Sequence, residues 1–137
     1  MGNRVGIIFH EDWKEFSPLL YSHNGAELRV VQLQDYLRKY EKEHNLDNHD
    51  GHLFNPCHMI VGYIQFIEKD IHMRVERLSD DSIKKLQKTH EYLNGFDGGC
   101  WIVNISTKNF GETVEGGNFY CNNNIVKNDL KSTNDCY

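Results

Sequence analysis

The strongest constraint in this chain is an apolar stripe that begins directly after a turn. Ala26, Val30, Leu33, Leu37 and Tyr40 recur at alternating steps of four and three, the repeat of one face of an α-helix. Gln32, Asp35, Lys39, Lys42 and Glu43 occupy the other faces, with Asp35 and Lys39 spaced for an i,i+4 pair. A helix of this kind must bury its stripe against a second layer. Immediately upstream, Leu19 to His23 reads as a strand and Asn24-Gly25 as the turn into the helix. Asn24 is a favoured N-cap, and Glu27 three residues later makes a capping-box pair.

The flanking segments say what the second layer is. Arg4 to His10, with Val5, Ile7, Ile8 and Phe9, reads as a strand. Glu11 to Ser17 reads as a loop or wide hairpin connection, closed by Pro18, and so short a link makes the first two strands antiparallel. After a polar loop, Asn55 caps a second helix with Pro56 in its first position, where a missing N–H costs nothing. Ile60, Tyr63, Ile64 and Ile67 line its inner face. The period then drops to two at Ile71, Met73 and Val75, a half-buried strand. Ser79 or Asp80 opens a third helix with Ile83, Leu86, His90 and Leu93 inward, and Asn94-Gly95 closes it. Cys100 to Ser106 is apolar on both faces, which predicts a central strand. A weaker strand is expected at Asn118 to Cys121.

The expected order is therefore ββααβαββ. That is an α+β domain, a small mixed or antiparallel sheet with helices packed on one face. It spans residues 1–121, and the polar stretch 122–137 reads as a mobile tail.

Composition limits the functions. A net charge of −5, with fifteen Lys and Arg scattered among twenty acids, argues against non-specific nucleic acid binding. No apolar run approaches the roughly 20 residues that span a bilayer. Arg4 followed by a strand-length apolar run does not match a signal peptide. The four cysteines, at 57, 100, 121 and 136, form no CxxC pair, so the expected state is reduced thiols in a cytoplasmic protein.

Two constellations carry candidate chemistry. At the strand-to-helix junction, Tyr21, His23, Asn24 and Gly25 bring two ring donors beside the N-terminus of a helix, with Arg29 just over one turn on. Such a site favours phosphate or carboxylate. The second is the loop 44–58, where His44, His49, His52, Cys57 and His58, with Asp47 and Asp50, are dense in borderline-soft ligands. His49, His52 and His58 are the candidate metal ligands, with zinc as the fitting ion. Their spacing matches no standard zinc finger, and a merely solvated polar loop is the favoured account of them.

Three short motifs carry a resemblance. Gly2-Asn3-Arg4 before the first strand, Tyr21-x-His23-x-Gly25 after the second, and Asp97-Gly98-Gly99 ahead of Trp101-Ile102-Val103 resemble a family of small phage and prophage proteins of Gram-positive bacteria. The chain departs from that family in lacking a Trp within the His-Asn-Gly turn and in the helix from Ser79 to Asn94. The resemblance implies a mobile-element accessory protein that antagonises host defence.

The reading that follows is a non-enzymatic binding protein without a cofactor. It would bind a host protein or sequester a small nucleotide signal at the Tyr21–Gly25 junction, and a homo-oligomer is compatible with it. The rival is a metal-dependent hydrolase using the His-rich loop. No positioned nucleophile or base supports the rival.

Overall fold

The computed structural model describes residues 4–44, 55–67, 73–90, 92, 99–106, 118–121 and 124–127. The strands are β1 (Val5–Glu11), β2 (Glu15–Phe16), β3 (Leu19–Ser22), β4 (Met73–Glu76), β5 (Cys100–Asn104), β6 (Asn118–Cys121) and β7 (Asn124–Lys127). The helices are α1 (Ala26–His44), α2 (Pro56–Ile67) and α3 (Asp80–Thr89). This is the expected α+β class, with a mixed sheet. Its strands lie in the order β4-β3-β1-β5-β6-β7, and β2 pairs with the end of β1. Among the described residues β1 and β5 run parallel, and every other pairing is antiparallel.

The two parallel strands form the middle of the sheet because they are apolar on both faces. Val5, Ile7 and Phe9 of β1 join Trp101 and Val103 of β5 in the core beneath α1 and α2, which supply Val30, Leu33, Leu37, Met59, Ile60 and Tyr63. Ile8 and Ile102 point the other way. There they meet Leu19, Leu78 and Leu86 of α3, with Ile83 packed at the margin. Helices packed on one face therefore describes α1 and α2 only; α3 covers the reverse face. The physical reason lies in the strands themselves, since Ile8, Cys100 and Ile102 would otherwise be left in water.

Local signals explain most element boundaries. The Asn55 side chain accepts from the backbone N–H of Cys57 and of His58, at 2.8 and 3.3 Å, and caps α2 as its Asn-Pro sequence requires. Ser79 caps α3 by accepting from Ser82 N–H at 3.1 Å. Asp80 and Asp81 in the first turn suit the helix dipole. The end of α3 differs from expectation: His90 takes the left-handed conformation (φ 56°), and its N–H closes on the Leu86 carbonyl at 2.9 Å. His90 is thus a cap rather than an inward-facing helical residue, while Leu93, Asn94 and Gly95 lie outside the described residues. On α1, Lys39 pairs with Glu43 at 3.8 Å instead of with Asp35.

The expected loop between the first two strands is a tight hairpin. The Glu11 carbonyl accepts from Lys14 N–H at 3.0 Å, and Asp12 and Trp13 both have positive φ, 50° and 60°. The turn sits within the three-residue loop Asp12–Lys14, between paired Glu11 and Glu15. Two positive φ values are what the central residues of a primed β-turn demand, usually supplied by Gly or Asn. An Asp-Trp pair hides that signal. At the other end of the chain, the sheet continues past residue 121 into β7, which pairs with β6 from Asn118↔Lys127 to Cys121↔Asn124.

Candidate functional site

The β3–α1 junction is built by strand alternation and one left-handed glycine. Tyr21 and Ser22 point to opposite faces of β3. Ser22 belongs to the α1 face, where its hydroxyl donates to the Asn24 carbonyl at 2.8 Å. Gly25 then turns the chain with φ 75°, and its carbonyl accepts from Arg29 N–H at 2.9 Å. Gly25, not Asn24, is therefore the residue that opens α1. A side chain at Gly25 would meet nothing within 4 Å, so the need for glycine is purely one of backbone conformation.

Tyr21 and His23 meet as expected. The Tyr21 hydroxyl and His23 Nδ1 are 3.0 Å apart, and their rings tilt at 46°. Arg29 does not join them. It is 7% exposed on the α1 side, with Nε 3.4 Å from the Ser22 hydroxyl and Nη1 donating to Gln32 Oε1 at 3.0 Å. The cation beside Tyr21 is Arg74 instead. The β3–β4 register sets Tyr21 opposite Arg74, and the guanidinium carbon lies 4.5 Å from the Tyr21 ring centroid. Arg74 Nε also donates to Glu76 Oε1 at 2.6 Å. The result is a half-exposed phenol with an exposed imidazole and guanidinium, on the face of the sheet opposite α1. That set can stack a planar group and bind an anion.

A second cluster, which sequence reasoning did not single out, lies at the carboxyl ends of β1 and β5. His10 is 0% exposed. Its Nδ1 accepts the Trp13 N–H at 3.0 Å, and its Nε2 has no hydrogen-bond partner. Its ring stacks on Trp13 at 3.9 Å, and Trp13 stacks on His90 at 3.7 Å with the rings 3° from parallel. Asn104 Oδ1 accepts from Asp12 N–H at 3.2 Å and Ser106 N–H at 3.0 Å; its Nδ2 donates to Asp12 Oδ1 at 3.3 Å. These bonds hold the positive-φ turn in place. Burial, with the neighbouring His90 charge, pushes the His10 pKa down to about 3, against a smaller upward pull from Asp12. His10 is sealed from solvent beneath half-exposed Trp13 and His90, and the cluster works as a clasp between β1, α3 and β5. A sequence signal for it did exist: His10, unlike its neighbours in the first strand, is polar within an otherwise apolar run.

Of the candidate metal ligands, His49 and His52 lie outside the described residues. His58 is exposed on α2, its ring 6.2 Å from that of Tyr40. Cys57 is exposed beside it, and Cys100 is buried in β5, where burial pushes its thiol pKa up. Among the described residues no group of three or more His, Cys, Asp or Glu side chains is gathered as for a metal ion. None of the described helices is long and apolar enough to cross a membrane. A groove of about 260 Å³ between α1 and α2 is lined by Tyr36, Lys39, Tyr40, Gly62 and Phe66 among others. Lys39 Nζ lies 5.3 Å from the Phe66 ring centroid.

Comparison with protein-family models, with curated proteins and with solved structures finds no match to this chain.

Proposed function

We propose that this protein is a non-enzymatic binding protein that holds a small nucleotide at the β3–α1 junction. A phage accessory protein that sequesters a host signal would act in this way. The observation that carries the reading is the Arg74 guanidinium over the Tyr21 ring at 4.5 Å, with His23 on the Tyr21 hydroxyl. A base gains stacking area from these groups, and its phosphate gains the Arg74 cation. Stacking and charge pairing are the chemistry these groups offer, which fits recognition.

Calorimetry against a panel of linear and cyclic nucleotides tests this directly. Tyr21→Ala and His23→Ala should each weaken binding at least about tenfold, or about 1.4 kcal/mol, while both variants melt near the wild type. Absence of binding by the wild type, with early melting of both variants, makes the junction structural and moves the function to a protein-binding surface.

A further inference from the structure

The outer edge of the sheet carries a self-complementary sequence that shares Arg74 with the proposed nucleotide site but does not rest on that reading. Strand β4 ends the sheet, and among the described residues it pairs only with β3. Arg74 and Val75 are exposed and Glu76 is half-buried, with Val75 49% exposed although it lies on the same face as buried Met73. An edge strand leaves a row of backbone N–H and C=O groups open to another strand. Flanking charges of one sign would repel a second copy. Here the flanking charges are opposite and lie symmetrically about Val75.

We infer that β4 is a self-association edge, on which a second copy of this chain pairs antiparallel about Val75. In that register Val75 of one copy faces Val75 of the other. Arg74 faces the partner's Glu76, and Glu76 the partner's Arg74. The contact is isologous, with the Arg74–Glu76 pair made twice about a two-fold axis normal to the sheet. Side chains directly opposite on an antiparallel pair lie about 4.5–5.5 Å apart at Cβ, close enough for both ion pairs and for the valine contact. Arg74 and Glu76 already bond within one chain at 2.6 Å, so pairing exchanges partners without stripping either charge. Four residues a side bury well under the roughly 1,000 Å² of a stable interface. The dimer is therefore weak and concentration-dependent.

Sedimentation velocity without nucleotide, from about 10 µM to about 1 mM and at low salt, reads this out. The wild type should pass from monomer to dimer across that range, and added salt should weaken the dimer. Arg74→Glu and Glu76→Arg each set like charges opposite one another and should raise the dissociation constant at least about tenfold. The double variant R74E/E76R restores complementarity and should recover the dimer. An equimolar mixture of the two single variants should also associate. Thermal melts check that each variant is folded. A wild type that stays monomeric at the highest concentration overturns the proposal. So does a double variant no better than the singles, since the pairing would then not be the one described.

Discussion

Histidine 10 makes acid stability a direct test of the clasp between β1, α3 and β5. The ring is held neutral in the native state chiefly because it is buried from water, with the neighbouring His90 adding to the effect and Asp12 opposing it. Its pKa therefore drops from 6.5 to about 3. In the unfolded chain the ring regains its ordinary pKa and takes up a proton as pH falls below 6.5. Between those two values the unfolded state binds one more proton than the native state, so native stability falls as pH falls. The slope approaches about 1.4 kcal/mol per pH unit, and about 2.3 kcal/mol is lost between pH 6.5 and about pH 4.5. The control is His10→Asn, which keeps an acceptor for the Trp13 N–H but cannot titrate. Losing the stacked ring should lower its stability at every pH. Its slope against pH should nonetheless be shallower than that of the wild type by about 1.4 kcal/mol per unit. Urea unfolding followed by tryptophan fluorescence, from about pH 7 to about pH 4.5, measures both slopes. Equal slopes would refute the reasoning, since His10 would then carry the same charge in both states.

Two further perturbations test the packing of α1 and α2 on the sheet. A Cβ at Gly62 would overlap the hydroxyl of Tyr36, which donates to the Met59 carbonyl at 3.1 Å; Gly62→Ala should cost about 1–3 kcal/mol, and adding Tyr36→Phe should make the double variant less unstable than the sum of the singles. Leu33 is fully buried in the stripe of α1, so Leu33→Ala should cost roughly 2–5 kcal/mol, and an unchanged melting temperature would show that α1 does not pack through this face.

What the chain declares locally, the structure repeats. The stripe from Val30 to Tyr40 is buried under α1, Asn55-Pro56 starts α2, and the two-faced apolar run at Cys100 occupies the middle of the sheet. These follow from periodicity and capping, which act over one or two turns and so are written in neighbouring residues. Tertiary structure decided what no local pattern records. Cross-strand register brought Arg74 to Tyr21, while alternation along β3 turned Ser22, and Arg29 with it, to the opposite face. The stack of His10, Trp13 and His90 needs β1 and the end of α3 to meet, and the Asp12-Trp13 turn needs Asn104 from a distant strand to hold it. Helix periodicity reports which face of an element is apolar, but not which residues of a remote element will lie against it. That pairing belongs to strand order, and strand order is settled only when the whole sheet assembles.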